Sequence, residues 1–281
     1  MSRSNPTETS SNPCTRWFEW AGGSDGGVVR YYDKEAGKSV NVGDKFSFLL
    51  LDELASVKGW HDASDSGIYS NEVRDTRQDV LVVKSFKGGE LASGLYAQIR
   101  DRVGNLGGHF HASCYIAYKD GDVYKLGNIG FKGAALMTWM AFKKAAGRKD
   151  GRPAYYVDAI RINGFEEGTK GRVVFRVPKF SLASVSEEAN AKAIDADKDL
   201  QLFLGEYLKR ARADQAEAAG AATAPARNGE AGPADRGNLK KYGAPDMEEE
   251  REDEDADIPF VTASMYYDMT TSKQRRMAKV G

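Results

Sequence analysis

The chain has 281 residues, of which 41% are hydrophobic and 29% charged, and its formal net charge is −1. This composition can build a core of one large or two small domains, and it excludes a collagen-like chain, a disulfide miniprotein and a wholly disordered protein. No apolar run reaches the roughly 18 residues of a membrane helix, and the polar N-terminus lacks a signal-peptide core. Two cysteines are too few for a disulfide framework. We therefore expect a cytoplasmic protein without membrane contact.

Composition divides the chain into three parts. Residues 1–13 are rich in Ser, Asn, Thr and Pro, and we expect them to be disordered. Residues 14–213 hold nearly all the large apolar side chains and are predicted to form one domain. Residues 214–281 are predicted to be a disordered linker followed by an acidic interaction tail, because few large apolar groups remain to offset the entropy of ordering.

Strands dominate the predicted domain. Runs of β-branched and aromatic residues predict strands at 28–32, 46–54, 80–86, 110–118, 123–129, 155–162 and 173–177. Asp120 and Gly121 are placed at a two-residue hairpin turn between the fourth and fifth of these strands.

Three helices interrupt the strands. Leu91, Leu95, Ile99 and Val103 recur every four residues and predict the first, and a second ends before Gly147. The third is predicted over 184–213, with Ser184 and Glu187 as its capping box. Its apolar stripe consists of Leu200, Phe203, Leu204, Tyr207 and Leu208. The expected fold is mainly β with inserted helices, an OB-like antiparallel barrel plus a C-terminal helix, with a β-sandwich as the alternative.

Aromatic and basic residues alternate near the N-terminus and recur in the domain. Single-strand binders need flat rings on which bases stack and cations that follow the phosphates. The residues expected to stack are Trp17, Trp20, Tyr31, Trp60 and Tyr69. The residues expected to contact phosphates are Arg16, Arg30, Arg74, Arg77, Lys84 and Lys132. The alternative is that these rings simply belong to the core.

Residues 60–75 are interpreted as a long polar loop with three open readings. A binding loop would use its rings and arginines, a structural loop would use its acids to cap turns, and an enzyme would use the acids as metal ligands or acid–base groups. The candidates for the enzyme reading are His61, Asp62, Asp65 and Glu72.

Two further patterns are weaker. His109 and His111 share one strand face, which makes zinc conceivable, but no further ligand motif accompanies them and structural histidines are favoured. Residues 127–133 are glycine-rich and resemble a phosphate loop, yet they lack the Walker lysine and the GxGxxG spacing. We interpret them as a strand-to-helix turn. No cofactor is expected.

The net charge conceals an asymmetry. Residues 1–180 carry 26 basic and 21 acidic side chains, whereas residues 246–257 contain nine acids and one arginine. The acidic window closes on Asp255, Asp257, Ile258, Pro259 and Phe260. A flexible peptide of this kind offers carboxylates to basic rims and two apolar side chains to pockets on a partner.

The Asp-Ile-Pro-Phe motif on an acidic linker resembles the tail of bacterial and phage single-stranded DNA-binding proteins. The segments 16–20, 30–33 and 60–74 also resemble phage-encoded proteins of this kind. The resemblance implies an OB-fold body that binds the strand and a tail that recruits replication and recombination proteins. In that family the motif ends the chain, whereas here 21 residues follow Phe260. Capture of a terminal carboxylate therefore cannot operate at Phe260.

The sequence thus leads to a non-enzymatic protein that binds and protects single-stranded DNA with little sequence specificity, in the host cytoplasm if it is phage-encoded. Two alternatives remain: a metal-dependent phage nuclease and a phage structural accessory protein. The sequence leaves open whether the chain forms a homo-oligomer.

Overall fold

A computed structural model describes residues 12–222, with side chains described through residue 212. The first half of the fold contains seven strands and one helix. These elements are β1 (Arg16–Ala21), β2 (Val28–Asp33), β3 (Lys38–Gly43), β4 (Lys45–His61), β5 (Ser66–Ser70), β6 (Leu81–Ser85), β7 (Gly89–Gly94) and α1 (Tyr96–Asn105). A 3-10 turn (Asp62–Ser64) links β4 to β5.

The second half adds two long hairpins and two helices. These elements are β8 (Gly108–Asp120), β9 (Val123–Lys132), α2 (Gly133–Ala145), β10 (Arg148–Lys149), β11 (Arg152–Pro153), β12 (Ala159–Lys170), β13 (Val173–Ala183) and α3 (Glu187–Ala222). A 3-10 turn (Ala154–Tyr156) precedes β12. The expectation of a mainly β fold with inserted helices and a C-terminal helix is confirmed.

Eleven strands form one mixed sheet. Nine of them follow the order β3-β2-β1-β9-β8-β4-β5-β6-β7, and the hairpin β12–β13 pairs with the start of β4. Neighbouring strands are antiparallel except β1 and β9, which run parallel. The long strand β4 joins the parts, because it pairs with β12 near its start, β8 along its middle and β5 at its end.

The edge strand β13 approaches the turn after β1 without a strand pairing. Arg176 on β13 donates its backbone N–H to the carbonyl of Gly22, which follows β1, at 2.7 Å. The indole of Trp20 donates to the carbonyl of Arg176 at 2.9 Å. In the described part of the chain no ladder joins β13 to β1, so the sheet is not a closed barrel.

The two faces of the sheet carry different partners. On one face, Phe18, Phe131 and Trp139 belong to the largest core cluster, which α2 covers. Farther along the same face, α1 packs Ile99 and Val103 against β4 to β7. On the opposite face, α3 packs Leu200 and Leu204 against β4, β8 and β9. Part of that second face lies beyond α3, and it holds the candidate site.

Several local predictions are corrected by the structure. Leu91 lies in β7 and not in a helix, because α1 begins only at Tyr96. The polar segment 60–75 contains the end of β4 and the whole of β5. The N-terminal cap of α3 is Ser186, whose hydroxyl accepts from the N–H of Ala189 at 3.2 Å, and not Ser184.

The turn between β8 and β9 also differs by one residue. Asp120 pairs with Val123, so the two loop residues are Gly121 and Asp122. The carboxylate of Asp120 pairs with Arg16 at 3.0 Å and with Lys125 at 2.7 Å. These ion pairs tie Asp120 at the end of β8 to β9 and to β1 beyond it.

Candidate functional site

Alternation along β4 directs charged and aromatic side chains to one face of the sheet. Val57 is fully buried against α1, and Lys58, the next residue, is exposed on the other side. Because strand residues two apart share a face, Trp60 lies on the side of Lys58. In an antiparallel pair, directly opposed residues also share a face. Lys58 is opposed by His109 on β8 and by Tyr69 on β5.

The same face continues across β5 and β6. Tyr69 is opposed by Lys84 on β6. The ring of Phe86, just beyond β6, stacks on Tyr69 with 4.6 Å between centroids and lies over Gly67. Phe86 is 51% exposed. Its backbone is held by a hydrogen bond of 3.1 Å from its N–H to the carbonyl of Gly67.

On the other side of β4 the face continues to β9. Lys132 opposes His111 on β8, and His111 opposes Ser56, two residues before Lys58. Burial, together with the nearby cations of Lys58 and Lys132, holds the pKa of His111 well below its usual value. Its Nδ1 and the hydroxyl of Ser56 are 3.0 Å apart.

These residues make a continuous surface that crosses the strands, here called the basic–aromatic strip. Its members are Lys58, Trp60, Tyr69, Lys84, Phe86 and Lys132. The three lysines stand on β9, β4 and β6, which are alternate strands in the sheet order. Since neighbouring strands lie about 4.8 Å apart, successive lysines are spaced by about 10 Å across the sheet.

The helix α3 and the β5–β6 connection border the strip. Leu54, on the strip's face of β4, is covered by Leu200 and Leu204. The hydroxyl of Tyr115 donates to the Glu72 carboxylate at 2.5 Å, and the N–H of Glu72 donates to the hydroxyl of Tyr207 at 3.3 Å. These bonds fix the connection against α3, so the strip has a firm wall on one side.

The structure brings four of the predicted contact residues together. Trp60, Tyr69, Lys84 and Lys132 all belong to the strip. Sequence reasoning missed Lys58 and Phe86. Lys58 follows a buried run and is two residues from Trp60, so correct placement of β4 would have identified it. Phe86 was predicted to be part of a strand, and its stacking on Tyr69 was not foreseen.

Trp17 and Arg30 lie on the same face of the sheet as the strip but apart from it. Trp17 packs beside the α3 cluster, with the Lys34 ammonium 5.9 Å from its ring centroid. The guanidinium of Arg30 donates to Glu19 at 2.7 Å. Trp17 is on β1 and Arg30 is on β2, so both lie beyond β9 in the sheet order.

Trp20 is a correction to the predicted stacking set. Its ring is only 5% exposed, within the main core, and its N–H is already bonded to Arg176. It therefore offers no surface to a base. Arg16 and Tyr31 also lie on the core side of the sheet, where the guanidinium stands 4.6 Å from the Tyr31 ring centroid.

The two arginines of the β5–β6 connection differ in their surroundings. Arg74 holds the buried carboxylate of Asp52, with Nη2 to Oδ2 at 2.7 Å and Nη1 to Oδ1 at 3.0 Å. This bidentate pair gives Arg74 a structural role, since removing it would leave a buried charge alone. Arg77 is exposed in the same connection.

The glycines of residues 127–133 do not form a phosphate loop. Gly127 and Gly130 lie within β9, where a Cβ would meet the Tyr118 ring at 2.9 Å and the His111 ring at 2.1 Å. Their absence of side chains makes room for these rings. Only Gly133, with a φ of +53°, turns the chain from β9 into α2.

No metal centre is assembled by the described residues. Among them, no group of three or more His, Cys, Asp or Glu side chains is placed to hold an ion. His61 bonds Ser64 at 2.7 Å, whereas Glu72 is engaged with Tyr115 and Tyr207. Both cysteines are buried, and burial with the charge of Glu72 raises the pKa of Cys14 to about 12.

The predicted tail contacts Asp255, Asp257, Ile258, Pro259 and Phe260 lie outside the described residues. None of the helices that the structure describes combines the length and apolar character needed to cross a membrane. Comparison of the chain with models of protein families, with curated proteins and with solved structures found no match.

Proposed function

We propose that the protein binds single-stranded DNA with little sequence specificity, through the basic–aromatic strip. The observation that carries the proposal is the row Lys58–Tyr69–Lys84, in which an aromatic ring lies between two exposed lysines on directly paired strands. Stacking on a ring is independent of base identity, and a lysine contact to phosphate is independent of sequence. The row therefore suits a strand of any sequence.

The exposed ring of Phe86 supports the proposal that bases stack on the strip. Phe86 is 51% exposed although it is apolar, and it stacks on the partly buried Tyr69. Most core aromatics of this protein are less than a tenth exposed. A base stacked on the outer side of Phe86 would cover apolar surface that water now contacts, and its phosphates would lie within reach of Lys84.

The proposal includes the finer reading of the fold. A partly open, OB-like barrel would place a binding face across its strands, as the strip is placed here. It also includes the acidic tail as the segment that recruits replication or recombination proteins during phage DNA metabolism. That part rests on the Asp-Ile-Pro-Phe motif of residues 257–260.

The test is a titration of a fluorescent single-stranded oligonucleotide with the full chain and with ring variants. Tyr69→Leu and Phe86→Leu each remove a stacking surface, and we expect affinity to fall about tenfold, which corresponds to roughly 1.4 kcal/mol. Tyr69→Phe and Phe86→Tyr keep the flat ring and are expected to retain affinity. A duplex of the same sequence should bind more weakly, because its base faces are stacked inside.

Salt dependence tests the cations separately. Each phosphate contact contributes about 0.7 to the slope of log affinity against log salt for a single strand. Lys84→Ala should reduce the slope by about that amount, while Lys170→Ala, at the end of β12, should leave it unchanged. A salt-independent affinity, or equal losses for the Leu and the aromatic variants, would refute binding at the strip.

A further inference from the structure

A second cationic surface lies at the end of α2. Residues 144–152 contain four basic side chains and one acidic side chain. Lys144 stands in the last turn of α2, and the short hairpin β10–β11 carries Arg148, Lys149 and Arg152. All four of these cations are exposed.

Ion pairs account for some of the cations here but not for all. Lys149 pairs with Asp158 at 2.5 Å, and the preceding Lys143 pairs with Glu53 at 2.6 Å. Over the described residues, no ion pair involves Lys144, Arg148 or Arg152. We call these three residues the hairpin patch.

The hairpin patch is held in a defined shape. Arg148 pairs with Pro153 and Lys149 with Arg152, and the N–H of Ala154 returns to the carbonyl of Gly147 at 3.1 Å. The two turn residues, Asp150 and Gly151, both have positive φ, as a tight two-residue hairpin requires. Fixed cations lose less conformational freedom when they bind than cations on a mobile loop would.

The hairpin patch and the strip lie on opposite sides of the sheet. Trp139 of α2 is fully buried and stacks on Phe131, the neighbour of Lys132 in β9. Since adjacent residues of a strand point to opposite faces, α2 covers the side away from Lys132. α2 begins directly after Lys132 and rises about 1.5 Å per residue, so its 13 residues carry the patch about 20 Å from the strip's edge.

We infer that the hairpin patch is a second contact for the sugar–phosphate backbone of a single strand that already occupies the strip. This inference rests on the proposed function. A strand leaving the strip at Lys132 would pass around the end of β9 and follow α2 to the hairpin. The patch consists of cations alone, whereas the strip also contains the exposed ring of Phe86. It would therefore hold phosphates without selecting bases, and only a strand long enough to reach both surfaces would use it.

The experiment compares short and long oligonucleotides on the full chain. Lys144→Ala/Arg152→Ala removes two patch cations that make no ion pair in the described part of the chain. Arg100→Ala/Arg102→Ala removes two exposed cations of α1 and is the control with the same loss of charge. For an oligonucleotide of about 8 nucleotides, both double variants should bind as the unmodified protein does. For one of about 30 nucleotides, the patch variant should bind about tenfold more weakly, with a salt slope lower by about 1.4, while the control is unchanged.

Each other outcome overturns the inference in a recognisable way. Unchanged long-strand affinity would show that the patch makes no contact with DNA. Equal loss for short and long strands would place the effect at the strip. An increase in affinity would indicate that the patch holds an acidic segment of the chain itself. If the unmodified protein bound neither length, the proposed function would fail first.

Discussion

His111 shows how one glycine and one buried ring shape the candidate site. The imidazole lies against Gly130, where a Cβ would stand 2.1 Å from its Nε2. This packing places a neutral, hydrogen-bonded side chain between Lys58 and Lys132. A charged residue in its place would alter the spacing or the electrostatics of the strip, so the buried histidine is a spacer between the exposed Lys58 and the half-buried Lys132.

The depressed pKa of His111 predicts that acid destabilises the protein. Burial first, then the charges of Lys58 and Lys132, hold the folded-state pKa well below 6.5. Below pH 6.5 the unfolded chain takes up a proton at this residue that the folded chain does not, so the free energy of unfolding falls as pH decreases. One such group contributes at most about 1.4 kcal/mol per pH unit.

Urea unfolding between about pH 5 and 7.5 measures this contribution. His111→Gln cannot take up the proton, and its stability should vary less with pH than that of the unmodified protein. The comparison uses the difference between the two slopes, so other titrating groups cancel. Identical slopes would mean that His111 does not titrate as its surroundings suggest.

Among the elements, α3 illustrates two functions of one helix. Its inner side packs Leu200, Phe203 and Leu204 against the sheet, and its neighbour Tyr207 fixes the β5–β6 connection. Its outer side carries Leu202, which is 74% exposed. The helix therefore contributes to the core and forms one wall of the strip, and loss of its packing would affect both.

Two leucines in α3 provide a matched test of this arrangement. Leu200→Ala removes a fully buried side chain and should lower the free energy of unfolding by about 2–5 kcal/mol. Leu202→Ala makes the same chemical change at an exposed position and should cost less than about 0.5 kcal/mol. Denaturant unfolding of the two variants gives both values. Similar losses would show that α3 does not pack as described.

Predictions of helices and strands succeeded where a periodic pattern of apolar residues was long. The stripe of α3 and the strands β8 and β9 were found, because burial repeated over many residues. The period of four from Leu91 to Val103 was misleading: Leu91 and Ile99 both reach the same core cluster, one from β7 and one from α1. Tertiary packing, and not a common helix, produced that spacing.

Across the whole molecule, Trp20 and Arg176 bring the edge strand β13 against the end of β1. Residues far apart in sequence meet through three hydrogen bonds. The Trp20 indole donates to the Arg176 carbonyl, and Arg176 donates its backbone N–H to the carbonyl of Gly22 and its guanidinium to the carbonyl of Gly26. A Cβ on Gly22 would lie 2.8 Å from the Arg176 carbonyl oxygen. The close approach of these backbones therefore depends on a glycine.

Trp20→Phe tests the importance of this contact. The substitution keeps an aromatic ring but removes the N–H, leaving the Arg176 carbonyl without this donor, and it should lower the free energy of unfolding by about 1–3 kcal/mol. Trp60→Phe, at a partly exposed position, should cost less. Thermal or urea unfolding measures both, and a Trp20→Phe protein as stable as the unmodified one would contradict the contact.

The site was only partly predictable because strand faces depend on register. Residue types identified Trp60, Tyr69, Lys84 and Lys132, but nothing local showed that Trp20 points into the core. The sequence placed 60–75 in a loop, and the pairing of Lys58 with Tyr69 becomes visible only once β5 is recognised. The choice of face was therefore decided by long-range pairing.

The three successive partners of β4 also set an order of assembly. During synthesis β5 to β7 follow β4 closely, so the Lys58–Tyr69–Lys84 row can pair early, and β8 completes that half soon afterwards. The start of β4 can pair with β12 only after β12 has been synthesised, when Phe48 comes to lie opposite Ile160. Distant pairing is slow because a long loop must close first. A nascent chain should therefore form the Lys58–Tyr69–Lys84 row while the end of β1 still lacks its contact with β13.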